Sequence, residues 1–186
     1  DHSEINIYKL EKYFGNYSLK KNSKVKVTFL LCSITDTDYL KYHISKLLPD
    51  MLFHAAAYKH VSILEKFIFA AVKNNIFGTL NLIKLSEEFN IKNFVLVSSD
   101  KAVRPTNIMG ASKRMAELTV QAYANNDKSK TIYSIVRFGN VVGSSGSVIP
   151  LFLDQIKNGG PVTVTHPEVT RYFMSIPESV SLIIES

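Results

Sequence analysis

The stretch Phe94-Val95-Leu96-Val97-Ser98-Ser99-Asp100-Lys101 decides the predicted fold. Its four apolar residues form a short continuous run, which is typical of a parallel strand covered on both faces. Polar residues follow at once, and parallel α/β sheets bind their ligands at the carboxyl ends of the strands. The stretch therefore predicts a buried parallel strand whose end carries hydroxyl, carboxylate and amine groups.

Short β-branched or aromatic runs alternate along the rest of the chain with longer stretches whose apolar residues recur every three or four positions. This alternation predicts an α/β protein with a doubly wound parallel sheet and helical crossovers. The predicted strands are Val25–Leu31, Met51–Ala55, Phe94–Ser98, Thr131–Phe138 and Val162–Thr165. The predicted helices are Glu4–Phe14, Asp36–Leu48, Ala70–Phe89, Gly110–Asn125, Ile149–Asn158 and Pro177–Glu185.

The composition limits the classes of protein to consider. With 186 residues, 46% of them hydrophobic, the chain can bury one ordinary core, and no run approaches the roughly 18 apolar residues of a membrane helix. The lone Cys32 excludes an internal disulfide and a Cys-based zinc cluster, and the histidines lack metal-ligand spacing, so we expect no metal. The net charge of +6 suits an anionic ligand, but the basic run Lys20–Lys26 lacks the aromatic residues of nucleic-acid sites.

Small and polar residues follow the predicted strands, where ligands are expected. His54-Ala55-Ala56-Ala57 allows either close approach of a ligand to the backbone or ordinary packing of a helix on the sheet. A second amine, Lys113, lies one turn into the helix after Asp100-Lys101, and together these groups could move protons around a bound alcohol. The Gly- and Ser-rich run Arg137–Ser147 and the guanidinium of Arg171 could hold phosphate.

These strings resemble the extended short-chain dehydrogenase/reductase superfamily, and within it the nucleotide-sugar 4,6-dehydratases of polysaccharide biosynthesis. The matching strings are His54–Val61, Val72–Thr79, Ser98–Pro105, Met109–Lys113, Arg137–Pro150 and Pro161–Met174. The resemblance implies conversion of a UDP-N-acetylhexosamine, first of all UDP-N-acetylglucosamine, to a 4-keto-6-deoxy sugar for cell-surface polysaccharide or glycan. A tightly bound, recycled NAD takes hydride from C4 and returns it to C6, while water is eliminated across C5 and C6.

The resemblance implies a role for each of five catalytic residues. Asp100 is the acid at O6, Lys101 the base at C5, and Ser99 a hydrogen-bond partner of O4. Lys113 holds the nicotinamide ribose. Met109 stands where most of the superfamily has a Tyr that removes the O4 proton, a task that a thioether cannot perform. The Met form is that of a membrane-associated subgroup, and Asp100, through water and Ser99, is the candidate to take this proton.

Ligand contacts follow from the same resemblance. Asp1 would bind the adenosine ribose hydroxyls, which favours NAD over NADP, and Ser33 stands where an Asp usually reads the adenine amino group. The other implied cofactor contacts are Ile34, Ala55, Ala56, Ala57, Lys59, Lys113 and, one layer further out, Asn75. The implied UDP-sugar contacts are Asn140, Ser147, Val148, Val162 and Arg171.

The resemblance divides the chain into a partial NAD-binding Rossmann domain with the catalytic residues, 1–148, and the start of a substrate-binding region, 149–186. The strand, G-x-G-x-x-G loop and helix that open such a domain are not found in the sequence, so the implied sheet lacks its first βα unit. We therefore expect the 186 residues alone to be inactive. A homo-oligomer is implied, with no membrane contact in this segment. The implied location is cytoplasmic, at the inner face of the membrane if the parent protein has upstream membrane helices.

Two other functions stay open. A UDP-sugar 4-epimerase shares these motifs, but it returns hydride to C4 and needs neither a C5 base nor a C6 acid, so Asp100-Lys101 argues against it. A truncated relic that serves as a binding module would account for the missing glycine-rich loop. Product mass separates the two enzymes, because only dehydration loses water.

Overall fold

Parallel strands form the centre of the fold. The computed structural model describes residues 1–21, 25–144, 148–164, 168 and 170–186. The described elements are, in chain order, α1 (Glu4–Lys21), α2 (Thr37–Leu47), β1 (Met51–His54), α3 (Val61–Leu64), α4 (Ile68–Ala71), a π-helical segment (Val72–Phe77), α5 (Gly78–Glu88), β2 (Asn93–Ser99), a 3-10 turn (Asp100–Ala102), α6 (Ile108–Ala124), β3 (Ile132–Phe138), β4 (Asn140–Val141), α7 (Val148–Lys157), β5 (Phe173–Met174) and α8 (Ile176–Ile184).

The main sheet has the order β1-β2-β3. Parallel pairing runs from Met51 opposite Asn93 along β1 and β2, and from Asn93 opposite Ile132 to Ser99 opposite Phe138 along β2 and β3. Helical segments cross over between consecutive strands, as parallel pairing demands. The prediction of an α/β fold with a parallel sheet is confirmed, and the carboxyl ends of the strands meet at one edge.

The main core lies where α2, α5 and α6 pack against β2. Phe94, in the middle strand, is fully buried, and its ring contacts those of His54 and Tyr133 at centroid distances of 6.1 and 5.5 Å. The buried members of this core are Leu40, Ile44, Leu82, Ile83, Leu85, Ile91, Phe94, Leu96, Ala116 and Val120. The apolar periodicity of α2, α5 and α6 therefore marks their faces toward this core.

The predicted helix Ala70–Phe89 is helical as far as Glu88, but it is not α-helical throughout. A π-helical segment, Val72–Phe77, separates α4 from α5, and it buries the side chains of Asn74 and Asn75. The hydroxyl of Thr79 donates to the backbone oxygen of Asn75 at 2.7 Å at the start of α5. The π turns thus present polar side chains inward at the point where the helix passes the strand ends.

The predicted strand Val25–Leu31 is wrong, because the structure assigns no strand to these residues. A strand requires a ladder of hydrogen bonds to a neighbouring strand. Here two backbone hydrogen bonds join the end of the segment to Asp1, from Asp1 to Leu30 at 3.2 Å and from Cys32 to Asp1 at 3.0 Å. The apolar run identified an extended segment, but not its pairing.

The predicted strand Val162–Thr165 is also wrong over residues 162–164, and Thr165 lies outside the described residues. Gln155 of α7 satisfies this segment with its side chain, accepting from the backbone N of Thr163 at 3.0 Å and donating to its hydroxyl at 2.8 Å. The short strand of this region is β5, which pairs in parallel with β4. The division at residue 148 stays a prediction.

We predict that Phe94→Ala lowers the free energy of unfolding by about 3–5 kcal/mol, because it leaves a cavity in the core. Phe69→Ala is the matched control, since Phe69 is 90% exposed, and we expect a change within about 0.5 kcal/mol. Urea denaturation followed by circular dichroism measures both. Equal losses in the two variants would contradict this assignment of the core.

Candidate active site

A pocket of about 1070 Å³ lies at the carboxyl ends of the three main strands. Its wall is formed by the loop after β1, the end of β2, the start of α6 and the segments around β4 and before β5. The residues singled out from the sequence that line it are Ala55, Ala57, Lys59, Ser99, Asp100, Lys101, Met109, Lys113, Asn140, Val148 and Arg171. Residues far apart in the chain are thus brought together because parallel strands end at one edge.

Ser99, Asp100 and Lys101 form a hydrogen-bonded group at the end of β2. One oxygen of Asp100, Oδ1, accepts from the hydroxyl of Ser99 at 2.9 Å, from the backbone N of Lys101 at 2.8 Å and from Lys101 Nζ at 3.0 Å. Burial opposes ionisation of Asp100, but the hydrogen bonds from Lys101 and Ser99 outweigh it and lower the pKa of the carboxyl. A carboxylate and an amine therefore stand side by side on the pocket wall.

Asn140 approaches this group from β4. Its side-chain oxygen accepts from Lys101 Nζ at 3.2 Å, so Lys101 bridges the ends of two strands. The preceding Gly139 permits close packing, because a Cβ there would lie 2.5 Å from the backbone oxygen of Tyr172. This contact sets the segment with Arg171 against the pocket.

Met109 and Lys113 are buried in the first two turns of α6. Asn107 begins the helix as its N-cap, with a side-chain oxygen that accepts a backbone hydrogen bond at 2.8 Å. Lys113 Nζ donates to the backbone oxygen of Val97 at 2.6 Å. Burial lowers the pKa of Lys113 to about 8, against the opposing effect of the negative charge of Glu117.

The loop after β1 forms the opposite wall. Ala55, Ala57 and Lys59 line the pocket, whereas Ala56 does not. Asn75 also lies off the wall, and it supports the loop from behind by accepting from the backbone N of Tyr58 at 2.8 Å and donating to its backbone oxygen at 3.0 Å. The π-helical segment thus fixes the loop through its buried amide.

Three further residues implied to bind the cofactor are not on the wall: Asp1, Ser33 and Ile34. The carboxylate of Asp1 accepts from the backbone N of Ser3 at 2.8 Å, and the hydroxyl of Ser33 is hydrogen-bonded within its own turn. The ring of His2 contacts that of Tyr58 edge-on at 6.2 Å, and Tyr58 lines the pocket. Asp1 and His2 therefore lie beside the pocket and do not line it.

The implied UDP-sugar contacts are divided in the same way. Asn140, Val148 and Arg171 line the pocket, and Val162 does not. Ser147 lies outside the described residues. Pocket residues that sequence reasoning did not assign include Tyr58, His60, Thr106, Asn107, Leu151 and Thr170.

Glu117 is the functional candidate that sequence reasoning missed. Its side chain is fully buried, and its carboxylate accepts from Ser98 Oγ at 2.6 Å, Arg137 Nε at 2.8 Å, Arg137 Nη2 at 2.6 Å and Arg114 Nη1 at 2.9 Å. Burial opposes ionisation, but the hydrogen bonds from Arg137, Ser98 and Arg114 outweigh it and lower the pKa of Glu117 to about 2. The available signal was its position four residues after Lys113, on the same face of α6.

Within the ranges that the structure describes, no group of three or more His, Cys, Asp or Glu side chains could hold a metal ion. Nor does any described helix combine the length and apolarity needed to cross a membrane.

The fold and the pocket define a class of protein. A parallel sheet with helical crossovers and a polar pocket at the strand ends is the architecture of the Rossmann-type enzymes of the extended short-chain dehydrogenase/reductase superfamily. The model of the family described as "Polysaccharide biosynthesis protein" matches residues 1–186. The chain belongs to this family.

Individual relatives are consistent with this family assignment. The chain is 44% identical to capsular polysaccharide biosynthesis protein CapD of Staphylococcus aureus over 189 residues, covering all of this chain and 30% of CapD. It is 41% identical to a UDP-glucose 4-epimerase of Rickettsia bellii over 136 residues, which covers 73% of this chain and 40% of the epimerase. The chain thus spans less than half the length of these relatives.

Solved structures share the fold. The X-ray structure of Pen from Bacillus thuringiensis matches with a TM-score of 0.87 and 38% identity, covering 99% of this chain and 55% of Pen. Three other structures match with TM-scores of 0.74 to 0.78: two UDP-glucose 4-epimerases and a dTDP-glucose 4,6-dehydratase. The dehydratase and one of the epimerases were solved with NAD. At 18 to 21% identity, these three show the fold alone.

We predict that the free energy of unfolding rises between pH 8 and pH 10.5 because of Lys113. Its folded pKa of about 8 lies below the ordinary value of 10.5, so in this window the unfolded chain binds more protons than the folded chain. The gain is about 3 kcal/mol and should vanish in Lys113→Met. Urea denaturation across the pH range measures the difference between the two proteins, in which other titrating groups cancel. Parallel curves for both would contradict the burial of this amine.

Proposed function

We propose that this chain carries the active site of an NAD-dependent 4,6-dehydratase that acts on a UDP-N-acetylhexosamine, first of all UDP-N-acetylglucosamine. The observation that carries the proposal is the contact between Asp100 Oδ1 and Lys101 Nζ, 3.0 Å long, on the wall of the pocket. Elimination of water across two neighbouring carbons needs an acid and a base side by side. This pair supplies both.

The pocket suits a dinucleotide beside a sugar diphosphate. The small side chains of Ala55 and Ala57 leave the backbone accessible, and Lys59 and Arg171 bring positive charge suited to phosphates. Lys113 makes one described hydrogen bond, to Val97, which leaves N–H donors for ribose hydroxyls. When bound, NAD would supply the acceptor and the donor for hydride transfer.

The hydrogen bonds give each catalytic side chain a task. Because its pKa is lowered, Asp100 begins as a carboxylate and can take the O4 proton through Ser99, since Met109 has no group to do so. The protonated Asp100 then gives that proton to O6, and the C6 hydroxyl leaves as water. Lys101 takes the C5 proton and later returns it to C5. The sugar thus loses one water, and both residues regain their starting states.

A UDP-sugar 4-epimerase is the second candidate, favoured by the relative of that name in Rickettsia bellii, which is 41% identical. Both reactions begin with oxidation at C4, so Ser99 and Lys113 serve either. They differ at C5 and C6, where only the dehydratase uses Lys101 as a base and Asp100 as an acid. The acid–base pair therefore favours elimination over epimerisation.

The full-length gene product should convert UDP-N-acetylglucosamine to a product lighter by one water, without net reduction of NAD. Mass spectrometry of the nucleotide sugar and absorbance of NADH measure the two outcomes. A product of unchanged mass that separates from the substrate would assign epimerase activity instead. Absence of any product with UDP-N-acetylated hexosamines would refute the dehydratase, and absence of any product with UDP-glucose as well would refute the epimerase.

We predict that Lys101→Ala lowers kcat by about 10²- to 10⁴-fold, because it removes the group that takes the C5 proton. Lys92→Ala is the matched control: Lys92 pairs with Asp50 on the surface, with 74% of its side chain exposed, at the opposite end of β2. Steady-state kinetics with the mass assay compares the two. Full activity in Lys101→Ala would remove this residue from the mechanism.

A further inference from the structure

We propose that Glu117 is a positioning residue, whose buried carboxylate ties the carboxyl ends of β2 and β3 to α6 and thereby sets the geometry of the pocket. The proposal rests on the proposed function for the identity of the catalytic groups. Glu117 does not line the pocket, so it acts through the residues that do.

The contacts of Glu117 join three elements. Ser98 and Arg137 pair with each other across β2 and β3, and both donate to the carboxylate, Ser98 at 2.6 Å and Arg137 at 2.8 and 2.6 Å. Arg114, on the same helix as Glu117, adds a bond of 2.9 Å. Four donors satisfy both oxygens of a side chain that is fully buried. A bidentate Arg–carboxylate pair also fixes an angle, and not only a distance.

The tied residues are chain neighbours of the proposed catalytic residues. Ser98 directly precedes Ser99, and Arg137 lies three residues before Asn140, which accepts from Lys101. Glu117 follows Lys113 by one helical turn, so its carboxylate anchors the helix that carries this amine. Ser99, Asn140 and Lys113 therefore lie one, three and four residues along the chain from Ser98, Arg137 and Glu117, the residues of this hydrogen-bonded group.

The charge of Glu117 reaches the same amine. Two guanidinium groups surround one carboxylate, and the negative charge of Glu117 raises the pKa of Lys113 against the effect of burial. Loss of this charge would leave the partly exposed guanidinium groups of Arg114 and Arg137 without their shared anion. The carboxylate thus anchors the helix that carries Lys113, and its charge partly offsets the lowering of the Lys113 pKa by burial.

The experiment compares Glu117→Gln and Ser98→Ala with wild type in the full-length gene product. For Glu117→Gln we expect kcat to fall about 100-fold, as displaced catalytic groups produce. KM should change less than kcat, because Arg171, an implied substrate contact, is not among the hydrogen-bond partners of Glu117. In Ser98→Ala, which loses one hydrogen bond and keeps both guanidinium contacts, kcat should fall about tenfold. Amide hydrogen exchange at residues 99–102 and 138–141 should become faster in both variants.

Lys113 supplies a readout that a purely structural role would not move. Its titration midpoint, followed by NMR of lysine labelled at Cε and assigned with Lys113→Met, should fall below that of wild type in Glu117→Gln. Glu87→Gln is the matched control, because Glu87 accepts from Ser129 at 2.6 Å and Tyr133 at 2.5 Å near the opposite end of β3. It should leave kcat and the Lys113 midpoint unchanged.

Several outcomes would overturn the proposal. A folded Glu117→Gln with wild-type kcat and an unchanged Lys113 midpoint would do so, as would an equal loss of kcat in Glu87→Gln. If Glu117→Gln does not fold, wild-type kcat and wild-type hydrogen exchange in Ser98→Ala would have the same meaning. If the wild-type protein turns over no UDP-sugar, the proposed function fails, and the Lys113 midpoint and hydrogen exchange decide the role of Glu117 by themselves.

Discussion

The parallel register of β2 and β3 is the constraint on which the site depends. It sets Ser98 opposite Arg137 and Ser99 opposite Phe138, so the two strands end at the same level. A slip of one residue would turn every side chain of one strand to the other face of the sheet. Ser98 or Arg137, depending on which strand slips, would then point away from Glu117. The backbone hydrogen bonds between β2 and β3 thus determine which side chains come together at the pocket.

Basic side chains are gathered around the pocket. Lys59, Lys101, Lys113 and Arg171 line the wall, and Asp100 is held against Lys101. Glu117 balances its arginines behind the wall and adds no negative charge to the surface that a ligand would meet. The wall therefore carries more basic than acidic side chains, which suits an anionic ligand.

Sequence patterns predicted what depends on neighbours in the chain. The apolar run before Ser98 marked β2, and small or polar residues at strand ends marked most of the pocket wall. Val25–Leu31 was misjudged because a ladder depends on a partner that a local pattern does not specify. Glu117 was missed because a Glu four residues after a Lys is typical of an exposed helical face, and only the packing of α6 on the sheet buries it.

The π-helical segment Val72–Phe77 has a consequence for how this helix is compared with others. Each π-type hydrogen bond spans one residue more than an α-type bond, so the stretch from α4 to α5 contains an extra residue for its length. In a gapless alignment with an uninterrupted α-helix, the side chains of either α4 or α5 would be rotated by about 100° around the helix axis relative to their true counterparts. The buried face of α5 matches only if the gap is placed within these six residues.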